Sequence, residues 1–323
     1  GNDGPDVATW QEALQYCNDL QFAGYSDWRL PNVRELESIA DYVSRYPSAA
    51  LDPVFEGEVA DYWTSTTMVL TPEAGIVVSF VACNELDHKD KKTHAFVRAV
   101  RTGCADRSGD VNADGVVDLS DGITVLGHLF LGNPPQLLPL CPSRSGLPDT
   151  GQTLCYDTDG NVIACGNDAW PGQDGLDRTG CLAEDRFTDN GDGTVTDICT
   201  GLVWQEASAD TNGNGGSTAD DVVPWQAALQ YCEGLQFAGH GDWRLPNTRE
   251  LESLVDYGRS DPAIDPVFAA ESERYWTSSS LVPAGDSGDT PRAAGFVDFW
   301  YGSHLYHATK TRTWQVRAVR TSP

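Results

Sequence analysis

Apolar residues recur at helical spacing in two early stretches of the chain, then at the alternating spacing of strands. Trp10, Ala13, Leu14, Cys17 and Leu20 share one helical face, and Thr9 with Glu12 forms the capping box that starts it. A loop, GYSDWRLPN, spans residues 24–32. Asn32 with Glu35 marks a second helix start, with Leu36, Ile39 and Ala40 as its buried stripe. Three short β-rich pieces follow: Tyr62 to Ser65, Ile76 to Val81 and Ala95 to Arg101. Two helices followed by several strands predict an α+β domain.

The same pattern then returns. Residues 225–257 repeat residues 10–42 without a gap, and 25 of 33 positions are identical. The match continues through DPVF (52–55 and 265–268), YWTS (62–65 and 275–278) and VRAVRT (97–102 and 316–321). His88 and His307 align as well, within DHKDKKTHAF and YHATKTRTWQ. A period of about 215 residues is too long for a solenoid, so the chain is a domain duplication with a different module between the copies. Ahead of the second copy stands RFTDNGDGTVTDICTGLVWQ (186–205), where Gly191-Asp192-Gly193 between alternating segments predicts a tight β-hairpin. The sequence ahead of the first copy holds no counterpart to this hairpin.

These ordered motifs (TDNGDGTVTD, TGLVWQ, DWRLPN, YWTS, VRAVR) resemble the Lcl C-terminal domain family, found in bacterial surface proteins including a collagen-like adhesin. The resemblance covers 1–102 in part and 186–321 fully. It implies a fold similar to C-type-lectin-like and formylglycine-generating-enzyme domains, a twisted antiparallel sheet with two flanking helices. The expected architecture is therefore α+β, with C-type-lectin-like domains at 1–102 and 151–323 and a calcium-loop, helix and Pro-rich connector at 103–150. The adhesin member is associated with anionic glycans. Residues 207–323 carry 9 Lys+Arg against 15 Asp+Glu, which argues against transferring that ligand.

The connector opens on DVNADGVVDLSD (110–121). Asp110, Asn112, Asp114, Asp118 and Asp121 occupy alternating ligand positions, Gly115 permits the sharp turn, and the Val116 carbonyl completes the shell. Oxygen donors at this spacing converge on one hard cation, so the expected cofactor is Ca2+. The loop resembles a dockerin-type repeat, with Asp at the closing position, and only one such repeat is evident. Residues 210–221 form a second candidate: Asp210, Asn212, Asn214, the Gly216 carbonyl and Asp221, with Gly215 at the turn and Thr218 as the weak member. A flexible Gly/Asn loop that binds nothing is the competing reading there. DTDGN (157–161) and DNGDGTVTD (189–197) read mainly as hairpin turns.

Composition narrows the partners. Lys+Arg number 21 against 48 Asp+Glu, a formal charge of −27, so nucleic acid and anionic surfaces are excluded. The charge is densest between the copies: residues 103–206 hold 17 acidic and 4 basic residues. Nine cysteines without CxxC spacing predict disulfides and an extracellular or cell-surface chain, with at least one thiol free or bonded to another chain. Cys104 and Cys141 bracket the calcium helix, Cys155 and Cys165 flank DTDGN, and Cys199 with Cys232 is the expected tie from the hairpin to the second copy's first helix. No stretch is long and apolar enough to insert into a membrane.

Catalytic signals are weak. The six histidines fall in no metalloprotease or nucleophile motif, and there is no GxSxG or phosphate loop, so the expectation is a non-enzyme. Trp28 and Trp243 are expected in the core, Arg29 and Arg244 on nearby carboxylates, and Phe296, Phe299, Trp300, Tyr301 and Tyr306 on an exposed contact face. Two functions fit. One is a calcium-stabilised extracellular structural protein that self-associates when a neighbour completes the first domain. The other is an adhesin or glycan-binding module, and a dockerin-tethered component of a complex is a third.

Overall fold

The computed structural model describes residues 7–40, 51–52, 54–55, 57–81, 85–101, 147–181, 186–281, 293–304 and 308–321. The first copy begins with β1 (Val7–Ala8), α1 (Trp10–Asp19) and α2 (Val33–Ser38). Both capping boxes form: Thr9 with Glu12 at α1, and Asn32 with Glu35 at α2. There follow β2 (Asp61–Thr67), β3 (Ala74–Ser79), β4 (Glu85–Asp90) and β5 (Ala95–Phe96), in a sheet ordered β1-β5-β2-β3-β4. Its ladders are antiparallel except β2 with β5.

A connecting segment carries β6 (Cys155–Tyr156), β7 (Val162–Ile163) and the single turn α3 (Asp174–Asp177). The second copy opens with β8 (Phe187–Asp189) and β9 (Thr194–Asp197), the expected hairpin, and β10 (Leu202–Gln205). Then come β11 (Val223–Pro224), α4 (Trp225–Gly234), α5 (Thr248–Glu252), β12 (Arg274–Leu281), β13 (Ala293–Asp298), β14 (Ser303–His304), β15 (Ala308–Thr309), β16 (Thr313–Trp314) and β17 (Val319–Thr321). The hairpin joins the closing strand in the order β17-β10-β9-β8, and β13 is flanked by β12, β14 and β15. The architecture is mixed α+β, mostly sheet with short helices.

Each copy is pinned by two crossed indoles. Trp10 Nε1 donates to the Thr64 carbonyl at 2.8 Å, and Trp63 Nε1 donates to the Ala8 carbonyl at 2.8 Å. Trp225 donates to Thr277, and Trp276 to Val223, at the same 2.8 Å. Helix start and sheet strand therefore fix one another, which sets the register of everything the strand carries.

The copies share a core. Val33, Leu36, Ile76 and Leu86 of the first copy join Leu251, Val255, Val297 and Phe299 of the second in one buried apolar cluster. Arg34 reaches across to the Ser253 carbonyl at 2.9 Å and to the Val255 carbonyl. Arg249, which aligns with Arg34, returns the contact to the Ala40 carbonyl at 2.8 Å, and Ala40 aligns with Val255.

One difference from expectation concerns the closing strand. Residues 95–101 were expected as one strand, but only Ala95–Phe96 pairs as such, and Val100 bridges Arg29. In the second copy Val319 and Arg320, which match Val100 and Arg101, form β17 with Thr321 because β10 supplies an adjoining ladder. Among the described residues no strand adjoins 97–101 in that way.

Arg34 is almost wholly buried, so Arg34→Ala takes the arginine donor from the Val255 carbonyl, while Ser253 keeps Arg186, and opens a cavity between the copies. Denaturant unfolding is expected to show a loss of about 2–4 kcal/mol. Arg249→Ala, at an exposed position, is expected to cost about 0.5–1.5 kcal/mol.

Candidate functional site

Asp110, Asn112, Asp114, Val116, Asp118 and Asp121 lie outside the described residues, as do Cys104 and Cys141. The second candidate loop is described. Asp210 accepts main-chain N–H groups from Gly213, Asn214 and Gly215 at 2.7, 3.1 and 2.8 Å. Asn212 accepts from Asn214, and Asn214 from Gly216. Asp221 closes the loop, accepting from Thr211 and Asn212 on one oxygen and from Thr218 on the other. Burial alone pushes the Asp221 carboxyl up, but the donors from Thr218, Asn212 and Thr211 outweigh it and hold the group below its usual range. The first and last carboxylates thus organise the loop, and Asn212 and Asn214 add amide oxygens. Among the described residues no group of three or more His, Cys, Asp or Glu is placed to hold a metal.

One cysteine expectation holds and one is corrected. Cys155 pairs with Cys165, closing the DTDGN turn, while Cys199 pairs with Cys181. Cys232 is a free, buried thiol, as is Cys17 at the aligned position. Each points from its helix into an apolar cluster, and burial pushes both thiols up to about 12. A tie from the hairpin to α4 therefore does not form, because Cys232 belongs to the core beneath the helix.

The aromatic segment also divides. Phe296 and Phe299 are buried, whereas Trp300 and Tyr301 stack on each other at the surface. Tyr306 and His307 lie outside the described residues. Trp243 is buried and Trp28 half-buried, and Arg29 and Arg244 form the expected carboxylate pairs, with Glu35 and Glu250.

Two surfaces distinguish the copies. The first is the edge beside residues 97–101. In the second copy the hairpin turn lies over Phe237, so closely that a Cβ on Gly193 would sit 2.8 Å from its ring. The aligned Phe22 is 49% exposed, and residues 97–101 are all half-exposed where 316–320 are buried.

The second surface is the face formed by the start of α1, the end of β2 and Arg29. Residues 147–181 lie across it. Most of them were grouped by sequence with the second copy, yet these contacts are with the first. The Gln152 amide pairs with the Thr67 main chain, accepting at 2.9 Å and donating at 2.8 Å. Thr66 Oγ1 donates to Asp174 at 2.6 Å, Gln11 to the Ala169 carbonyl at 3.0 Å, and Thr179 to Glu35 at 3.1 Å. Lys91 is fully buried over the Trp10 ring, 4.0 Å from its centre, and donates to the Asp157 carbonyl. Burial pushes its amino group down to about 7. Gly160 fits only as glycine: its φ is +84°, and a Cβ would lie 2.8 Å from the Glu73 nitrogen. The Cys181–Cys199 disulfide fastens the far end of this cover to the second copy.

The sequence signalled few of these residues. Lys91 stands in the run KDKK, which reads as a solvated charge cluster, and Asp174 stands in an undistinguished loop. The one available signal was the alignment that places Lys91 opposite Lys310.

The Lcl C-terminal domain family model matches residues 2–101 and again residues 193–320. The chain belongs to that family and carries its domain twice. No curated protein matches the chain.

Asp174 reports on the cover. Burial pushes its carboxyl up to about 7, against the hydroxyl donors of Thr66 and Thr150, with Asp149 and Glu35 adding to the rise. The folded chain therefore holds this proton where the unfolded chain releases it, and the stability contribution falls as pH rises from about 4 to about 7. Asn is neutral and keeps an acceptor for both hydroxyls. Asp174→Asn is expected to match the wild type near pH 4 and to exceed it by roughly 2–4 kcal/mol at pH 7.5, measured by denaturant unfolding at both pH values.

Proposed function

We propose that this chain is an extracellular structural protein that self-associates when a strand from a neighbouring molecule completes the first domain. The observation that carries this reading is the half-exposed stretch 97–101 beside an exposed Phe22, where the second copy presents the same residues beneath its hairpin. Extended main chain that no neighbouring strand covers is a template for added β structure. Two disulfides among the described residues suit an oxidising compartment. No helix among the described residues is long and apolar enough to cross a membrane.

In this reading Ca2+ stabilises the assembly. Asp110, Asn112, Asp114, Val116, Asp118 and Asp121 hold one ion in a dockerin-type loop, and Asp210, Asn212, Asn214, Gly216 and Asp221 hold a second. Each domain is a C-type-lectin-like unit without catalytic function. A second reading, glycan binding, has one observation in its favour. A cleft of about 330 Å3 between the copies is lined by Met68, Ile76, His88, Arg274, Asp298 and Tyr301, next to the stacked Trp300. Aromatic faces beside fixed polar groups suit a sugar.

Negative-stain electron microscopy and sedimentation are expected to show filaments or lattices at millimolar calcium that loosen on chelation. Phe22→Asp changes an exposed side chain and is expected to leave the fold intact while abolishing assembly. Monodisperse wild-type monomers at high calcium would sink the assembly reading, and assemblies indifferent to chelation would sink the calcium part alone. A glycan array tests the second reading.

A further inference from the structure

The cover on the first copy has a counterpart face on the second, built from matching residues and left open by the described chain. Trp225 matches Trp10, Gln226 matches Gln11, Arg244 matches Arg29, Ser279 matches Thr66 and Lys310 matches Lys91. The internal geometry is the same: Lys310 lies 3.8 Å from the centre of the Trp225 ring, as Lys91 does over Trp10 at 4.0 Å. The surroundings differ. Trp10, Lys91 and Thr66 are fully buried, whereas Trp225, Lys310 and Ser279 are half-exposed. The Arg29 side chain is 15% exposed and that of Arg244 is 42% exposed. Gln226 and Asn247 are exposed where Gln11 is half-exposed and Asn32 buried.

We propose that this second-copy face, centred on Trp225 and Lys310, docks an extended acidic polypeptide segment of a partner chain. The chemistry of the occupant is read from the cover itself. Residues 147–181 hold six acidic residues and one basic residue. They present a main-chain carbonyl to the lysine, a carboxyl to the β2 hydroxyl and polar groups to the Arg–Glu pair. The open face is better suited to negative charge than its covered twin. Helix α4 has Ala227 and Gly234 where α1 has Glu12 and Asp19, and Glu233 where α1 has Asn18, a net loss of one acidic residue. Arg244 is paired with Glu250, so Lys310 supplies the positive charge of this face, on a chain of net charge −27. It does not overlap the 97–101 edge and stands whether or not the chain polymerises.

The test is binding of a synthetic peptide of residues 147–181, oxidised at Cys155–Cys165 and carrying Cys181→Ser, to the full chain by fluorescence anisotropy. Saturable binding is expected, weakening with salt. Lys310→Glu and Gln226→Glu, two surface changes with little bearing on folding, are each expected to weaken it at least tenfold. Three results would overturn the proposal: no saturable binding at millimolar peptide, binding unchanged in both variants, or equal binding of a scrambled peptide of the same composition.

Discussion

Each domain depends on a reciprocal pair of indole hydrogen bonds, buried in the first copy and part-buried in the second. One tryptophan at the head of the first helix bonds the main chain of the central strand, and one on that strand bonds the main chain just ahead of the helix. A buried indole N–H has no water to turn to, so each bond fixes a position rather than merely adding stability. The lysine that stacks on Trp10 or Trp225 inherits its place from this lock. The outward-facing end of β2, where Thr66 and Thr67 meet Asp174 and Gln152, does the same. The two copies agree in these contacts and differ in what covers them.

Local features were legible in the sequence. Capping boxes at Thr9 and Asn32, the Gly191–Gly193 hairpin and the Arg29–Glu35 pair each depend on residues a few positions apart. The duplication was legible because 25 of 33 positions repeat. What the sequence hid is non-local. Nothing near Cys199 distinguishes Cys181 from Cys232 as its partner, because the choice rests on which thiol the helix turns into the core. Nothing in KDKK announces that its middle lysine is buried, because the burying groups, Tyr156 and Asp157, come from far along the chain.

Duplication with unequal surroundings explains how one domain type supplies different surfaces. The first copy has its helix-start face covered and its closing edge half-exposed, while the second has its closing edge covered and its helix-start face half-exposed. Charge follows the same division. The acidic cover pairs Asp159 with Lys92 and brings Asp177 near Arg29, so its negative charge lies where the first copy is positive.

The paired arginines between α2 and α5 have a consequence for symmetry. Arg34 meets the Val255 carbonyl and Arg249 meets the Ala40 carbonyl, so the contact between the copies is self-complementary, as in a two-fold homodimer folded into one chain. A self-complementary patch closes on itself and stops growth at two units. Here that patch is consumed inside the molecule. Contacts between whole chains cannot reuse that patch, and any of them that joins unlike surfaces repeats without limit unless its rotation happens to close a ring.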